Sequence, residues 1–281
     1  MRKYTTENLW IRIILFFITC IILIFSLQSF IVPLLESMFN AGNKFPDTLR
    51  VNITRAMNGV VGIGLVYVFL KFDRQKLHDV GFKWNKNFGF EWIILGLLIA
   101  VLALIPTVFI ELLFEIIPWK AQPLALLDIF SLLLTLLVAV LAIGLGEELL
   151  FRGYLQTILE TKYSFMFSAI ISALLFGLLH FFLWWPTGSL ENMTAILFSA
   201  FAIGFSLSFV FKITNYNLTL AVAIHGFWDF ILFAFQAEFE YIDLPHVIIE
   251  IFASFIGAAV IFYCVYQYSK RRLEQVSEVL N

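Results

Sequence analysis

Six residues of this 281-residue chain have types and spacing that could support chemistry: Glu147, Glu148, Arg152, His180, His225 and Asp229. Each stands in or directly after a run of apolar residues. Glu148 and Arg152 are four apart, so on a helix they share a face and can form an ion pair. Glu147 lies about 100° around that helix and points elsewhere. His225 and Asp229 are again four apart, which lets the carboxylate orient the ring, or fix its tautomer, from one turn away. Phe176 precedes His180 by the same interval. A carboxylate and two imidazoles converging from different helices can activate water. Glu147 would then be the general base, with His180 and His225 donating hydrogen bonds to an oxyanion or holding the water. Together with Asp229 the same set could bind Zn²⁺, because two histidines and a carboxylate form a catalytic ligand set. No HExxH pair is present, so the histidines must come from separate helices. No serine or cysteine accompanies a histidine in a nucleophile motif, which disfavours covalent catalysis.

A helix-locking ion pair accounts for Glu148 and Arg152 alone, and a hydrogen-bonded packing role accounts for a lone membrane histidine. Two histidines, Asp229 and a separate glutamate on other helices exceed that explanation, since ionisable residues within spans are costly and mark functional sites. Glu111 and Glu115, near the outer end of another run, are explained by snorkelling.

The elements that must position these residues are membrane helices. The chain is 61% hydrophobic and 14% charged, with a mean hydropathy of +0.93, whereas soluble domains carry about 25% charged residues. A net charge of −2 without a long basic tract gives no support to nucleic-acid binding. Spanning takes about 20 apolar residues in a helix, and such runs occupy roughly 11–32, 52–71, 90–116, 127–146, 165–185, 193–211, 217–236 and 246–268. The expectation is an all-α, polytopic bundle of about eight transmembrane helices. It forms a single transmembrane domain over 1–281, with the chemistry in 120–236.

Turn formers lie between the runs: Pro33, Pro46, Pro118, Pro123, Pro186 with Gly188, and Asn215 with Asn217. In the second run Asn52, Arg55 and Asn58 make the entry polar, and Gly59, Gly62 and Gly64 suit close helix packing. Trp184 and Trp185 close the fifth run as interfacial aromatics. The phenylalanines are assigned packing or lipid contact and no chemistry. Cys20 and Cys264 sit within apolar runs as buried thiols.

With eight spans, Arg2, Lys3, Arg12, Lys71, Arg74, Lys76, Lys83, Lys86, Arg152, Lys162, Lys212, Lys270, Arg271 and Arg272 fall on one side. Only Lys44, Arg50, Arg55 and Lys120 fall on the other. The positive-inside rule then makes both termini cytoplasmic. One mismatch remains. Counted from the expected helix starts, His180 lies ~22 Å from the inner face and His225 ~12 Å, which points to boundaries misplaced by several residues.

Glu147-Glu148-x-x-x-Arg152, Phe176-x-x-x-His180 and His225-x-x-x-Asp229, in that order, resemble the three motifs of the CPBP family. These are the CAAX proteases and bacteriocin-processing enzymes, also called the Abi family of intramembrane endopeptidases. Leu77-His78-Asp79-Val80-Gly81-Phe82 is similar to a short L-x-x-x-G-F element that often precedes the core in bacterial members. The resemblance implies that Glu147 activates water, that His180 and His225 hold the water or oxyanion, and that Asp229 completes the site. It implies that Glu148 and Arg152 shape and neutralise it. Asp229 departs from the eukaryotic CAAX proteases, which carry Asn there, and this added negative charge favours a metal or a protonated Asp229. Zinc and a metal-free glutamate mechanism both remain open, as does the oligomeric state.

The leading expectation is therefore an endopeptidase acting on a short or lipidated peptide at the cytoplasmic face of a plasma membrane. Phe, Ile, Asn and Lys usage is compatible with a low-GC bacterial host. A non-enzymatic bacteriocin-immunity or regulatory membrane protein is the rival. A proton-coupled transporter would use the same residue types, but repeat symmetry and broken helices are not evident in the sequence.

Overall fold

In hydrocarbon every backbone N–H and C=O must be satisfied within its own segment, so the apolar runs fold as helices. A computed structural model of the chain describes residues 8–39, 47–83, 89–115, 129–184, 189–234 and 244–280, and among these there is no strand. Seven helices are long and apolar enough to cross a membrane. They are α1 (Leu9–Leu35), α2 (Leu49–Phe72), α3 (Gly89–Leu113), α4 (Ile129–Leu159), α5 (Phe165–Leu183), α6 (Leu190–Ile213) and α8 (Leu244–Arg271). Between α6 and α8 lies α7 (Thr219–Ala234). Its 16 residues span ~24 Å, short of the ~30 Å hydrocarbon core. The architecture is the polytopic helical bundle expected. Pro46, Pro118, Pro123, Trp185, Pro186 and Gly188 lie outside the described residues, as do Lys44, Lys86 and Lys120.

α4 runs to Leu159 instead of ending near 146. Hydropathy falls there because Glu148, Arg152 and Gln156 follow one another at four-residue spacing, yet all three are fully buried. Arg152 bonds Glu148, and Gln156 donates to Glu160 Oε1 at 2.9 Å. Pairing of the Glu148 and Arg152 charges lets the helix continue inside the protein, although Glu148 Oε2, Arg152 Nε and Gln156 Oε1 receive no hydrogen bond among the described residues. Arg152 is thus interior and does not count as a cytoplasmic charge. Two stretches of α4, Val138–Gly144 and Leu149–Gln156, are wound as π-helix, and the turn Leu145–Glu148 between them carries both glutamates. Widened turns of this kind recur at functional sites.

The depth mismatch has a different cause from misplaced boundaries. α5 begins at Phe165, as expected, and α7 at Thr219, two residues from the expected start. What differs is the level of those starts. α5 begins just past the end of α4, whereas α7 begins beside Gly153, which packs against the Val80 carbonyl and Leu218. Six residues of α4 separate Gly153 from Leu159, or ~9 Å, and this offset removes most of the mismatch.

The level beneath α7 is filled by the Leu77–Phe82 element. Leu77–Val80 forms one 3-10 turn, and Gly81 follows with φ +91°, a conformation that side chains resist. A Cβ at Gly81 would also meet the Phe211 ring and the Tyr216 carbonyl. The Gly81 carbonyl accepts the Leu218 N–H at 3.0 Å. Asn217 Oδ1 accepts the Thr219 N–H at 2.9 Å, and its amide donates to the Lys83 carbonyl at 2.9 Å. The orphan N–H groups that open a helix are satisfied in this way, so α7 can start below the level at which α4 and α5 turn.

Two packed cores divide the bundle. One joins α1, α2, α4 and α5 around Phe16, Phe151 and Leu155, and the other joins α3, α6, α7 and α8 around Ile99, Ala221, Ile224 and Ile261. Small residues close the seam between them, as expected where lipid supplies no hydrophobic drive for helix association. A Cβ at Gly226 would fall 2.6 Å from Val140 Cα, so α7 rests directly on α4. At the α2–α4 crossing a Cβ on Gly146 would reach 2.5 Å from the Gly59 carbonyl. Gly62 also packs on α4, but Gly64 meets nothing within 4 Å and has no packing role.

Snorkelling does not account for Glu111. It is 3% exposed on α3 and hydrogen-bonds Glu250 of α8, to which Ser199 and Ser254 also donate. Glu115 is exposed, in keeping with the expectation. Cys20 and Cys264 are free thiols, the first buried and the second half-buried.

Gly59→Leu should force α2 off α4 and lower stability by roughly 1–3 kcal/mol, the usual cost of overpacking. Gly64→Leu should stay within about 0.5 kcal/mol of the parent. Thermal unfolding in detergent measures both, and equal losses would show that the α2–α4 crossing is not set by Gly59.

Candidate active site

The six residues predicted from the sequence meet at the seam between the two cores. α4 contributes Glu147, Glu148 and Arg152, α5 contributes His180, and α7 contributes His225 and Asp229. Glu148 is the hub. Its Oε1 accepts a hydrogen bond from Arg152 Nη1 at 2.8 Å and lies 2.8 Å from His225 Nδ1. Arg152 Nη2 in turn donates to the Gly204 carbonyl of α6 at 2.7 Å. One fully buried carboxylate therefore ties three helices together. Phe176 completes the support. Arg152 stacks on its ring at 4.7 Å, and the rings of His180 and His225 pack against it at 4.5 and 5.6 Å.

Both imidazoles are oriented from behind. Ionised Glu148 is acceptor-only, so His225 Nδ1 carries the proton it shares with that carboxylate. His180 Nδ1 lies 3.0 Å from the Phe176 carbonyl, again an acceptor, and must also carry a proton. Each ring therefore turns Nε2 forward. His225 Nε2 lies 3.6 Å from Glu147 Oε2 and 3.5 Å from Asp229 Oδ2, and His180 Nε2 lies 3.8 Å from Glu147 Oε2. Glu147 Oε2 is buried and receives no hydrogen bond from the described residues. Exposure rises across the cluster, from zero at Glu148 and Arg152 to 14% at Glu147, 17% at Asp229 and 23% at His180. The Glu148 side is closed and the Glu147 side is open.

The donor types suit zinc, because two forward-facing Nε2 atoms and a carboxylate are catalytic zinc ligands. In the positions they hold, however, no three His, Cys, Asp or Glu side chains among the described residues are arranged to hold a metal ion.

Several contributors escaped the sequence reading. Phe176 carried no chemistry there, yet it is the plate on which both imidazoles and Arg152 rest. Gly204 acts through its backbone carbonyl, which has no sequence signal. Arg55 was read only as part of a polar helix entry, but its charge reaches Asp229. Cys20 of α1 lies near enough to Glu147 for the two to interact.

These features define a multi-pass integral membrane protein with an acid–histidine cluster inside its helices. Residues 129–231 match the family model for type II CAAX prenyl endopeptidase Rce1-like proteins, a stretch that contains all six cluster residues. No curated protein matches the chain. Over residues 129–231 the chain thus carries an Rce1-like domain, similar to those of the CPBP peptidases.

Glu148→Ala would leave the buried Arg152 charge without its carboxylate and should destabilise by roughly 3–5 kcal/mol. Glu148→Gln, which keeps the shape, should cost less. Chemical unfolding of the detergent-solubilised protein distinguishes them, and a Glu148→Ala variant as stable as the parent would refute the hub.

Proposed function

We propose that the protein is an intramembrane endopeptidase in which Glu147 activates water to hydrolyse a peptide bond. The observation that carries this reading is Glu147 Oε2, free of hydrogen bonds and lying between two imidazole Nε2 atoms from separate helices. A water beside it would give its proton to Glu147 while its oxygen attacks the scissile carbonyl, and Glu147 would then return that proton to the leaving amine. A neutral ring with a fixed Nδ1–H accepts at Nε2, and a protonated ring donates there. A histidine steadying the water needs the first state, and one steadying the oxyanion needs the second. Asp229, 3.5 Å from His225 Nε2, supports the second state at His225. Glu148 and Arg152 hold the site's shape and offset its charge.

The catalytic core then spans about 120–236 within one transmembrane domain over 1–281. Both termini face the cytoplasm, since Arg12, Lys71, Arg74, Lys76, Lys162 and Lys212 all lie at the inner helix ends in that orientation. With a low-GC bacterial host the membrane is the plasma membrane. Candidate substrates are bacteriocin leaders, signalling peptides or prenylated C-termini, the last favoured by the family match. Apolar, Phe-rich walls suit a lipid tail.

Glu147→Gln should lower kcat by 10²–10⁴-fold, the usual contribution of a general base, and leave substrate binding intact. Hydrolysis of a fluorogenic lipopeptide library reads the first and direct binding the second. Undiminished cleavage by the variant would remove Glu147 from the mechanism. Turnover should also survive o-phenanthroline. Loss of turnover restored by added zinc would instead put a metal on the two Nε2 atoms.

A further inference from the structure

Between α6 and α7 the chain turns through two successive left-handed residues, Asn215 (φ +56°) and Tyr216 (φ +57°). The first is accounted for locally. The Asn215 N–H bonds the Lys212 carbonyl at 3.1 Å, and the Tyr216 N–H bonds the Phe211 carbonyl at 2.9 Å. This helix ending needs one left-handed residue and accepts Asn there. The second is not explained in that way. A bulky side chain in this conformation is an outlier, and such strain persists only where the surroundings over-determine it.

What holds Tyr216 lies at the end of α4. Its hydroxyl donates to Glu160 Oε2 at 2.5 Å. Lys212 Nζ donates to the same hydroxyl and stands 3.6 Å from Glu160 Oε2. The Tyr216 ring meets Phe211 edge-on at 5.2 Å. Glu160 directly follows α4 and is aimed by Gln156, which donates to its other oxygen at 2.9 Å.

The segment that carries His225 is therefore tied to α4 twice. His225 Nδ1 meets Glu148 Oε1 at one tie, and Tyr216 meets Glu160 at the other. Twelve residues separate the two glutamates, or ~18 Å along the helix. Elsewhere α7 and its lead-in rest on α4 through Gly226 against Val140 and Leu218 against Gly153. Such apolar contacts are non-directional and let one helix slide or rock on the other. A single polar tie fixes a point, whereas two fix both level and tilt.

We infer that Tyr216, through Glu160, is a positioning residue that sets the level of α7 on α4 and so places His225 Nε2 against Glu147. The effect on rate rests on the endopeptidase reading, but the placement of His225 does not depend on turnover. Tyr216 lies nine positions before His225 and acts through the helix. A residue that only closed α6 would need neither the second left-handed conformation nor a partner on α4.

The test uses the full-length protein in nanodiscs with isotope-labelled histidine. Its probe is the NMR signal of the His225 Nδ1–H, assigned by its loss in His225→Gln. Shared with buried Glu148, this proton should resonate far downfield in the parent. Y216F keeps the ring and removes only the hydroxyl. It should move the signal upfield and hasten its exchange with solvent. On the fluorogenic lipopeptides it should lower kcat about 10–100-fold with KM unchanged, the cost of misplacing a catalytic group by about an ångström. E160A should match it, and Y216F with E160A should be no worse than E160A alone, because members of one tie are not additive. Y216G relieves the strained backbone while removing the tie, and should be as slow as Y216F. E160Q keeps an acceptor without the charge. It should fall between the parent and E160A, and it carries the comparison if Y216F does not fold.

An unmoved His225 signal in Y216F and E160A, a parent without that downfield signal, or additive losses in the double variant would each overturn the proposal. So would a lowered Tm in Y216F with signal and kcat unchanged, which would leave Tyr216 a structural role alone. A shifted signal in a protein without Glu147-dependent cleavage would uphold the positioning of His225 and sink the mechanism.

Discussion

One oxygen organises this membrane protein. Glu148 Oε1 is shared by Arg152 and His225, at 2.8 Å from each, in a position with no exposure at all. A buried ionised group is tolerated only when paired and hydrogen-bonded, so the carboxylate constrains every element around it. Arg152 must reach the Gly204 carbonyl of α6 to use its second nitrogen, His225 must present Nδ1 and not Nε2, and α7 must lie against α4 closely enough for that bond to form. The glycines at 144 and 226 meet the last requirement, and the Phe176 ring fills the space behind. Burial converts an ion pair that would be worth little at a surface into the fixed point of three helices.

The same constraint explains the short helix. α7 brings His225 to the level of Glu148 after only two turns, so it must start well inside the level at which α4 and α5 turn. A helix that begins there exposes N–H groups to a poorly hydrated setting, and the Leu77–Phe82 element supplies the acceptor. Gly81 is needed twice over, for its left-handed backbone and for the space taken by Phe211. The motif far upstream of the cluster is thus a structural condition of the cluster. Its effect on chemistry passes through the depth of α7.

Much of this was legible in the sequence, because four-residue spacing on a helix is geometry. Glu148 with Arg152 and His225 with Asp229 are neighbours for the reason anticipated, and Glu147 points away from Glu148 as the 100° step requires. The count of apolar runs gave the bundle. What stayed hidden were interactions between runs. Hydropathy cannot see that Glu148 pairs with Arg152 and Gln156 with Glu160, so it stopped α4 too early. It cannot see relative depth, so the histidine levels looked inconsistent when the boundaries were sound. It read Glu111 as snorkelling because Glu250, its partner, lies 139 positions along the chain. Arg55 was read only as part of a polar helix entry because its interaction with Asp229 crosses between helices.

Charge gives the last constraint. The site gathers three carboxylates, Glu147, Glu148 and Asp229, and two guanidiniums within interacting distance, Arg152 and Arg55. Fully ionised with neutral imidazoles, the group carries one uncompensated negative charge, which an apolar interior penalises heavily. One proton placed among Glu147, Asp229 and the two Nε2 atoms makes it neutral. That proton has short paths, since His225 Nε2 stands 3.6 Å from Glu147 and 3.5 Å from Asp229. On the proposed mechanism this is the proton balance a general base requires, because Glu147 can accept from water only while the compensating proton rests elsewhere in the cluster. An Asn in place of Asp229 would remove a negative charge and with it the need for that proton. On that mechanism the aspartate at 229 sets the charge state in which the cluster works.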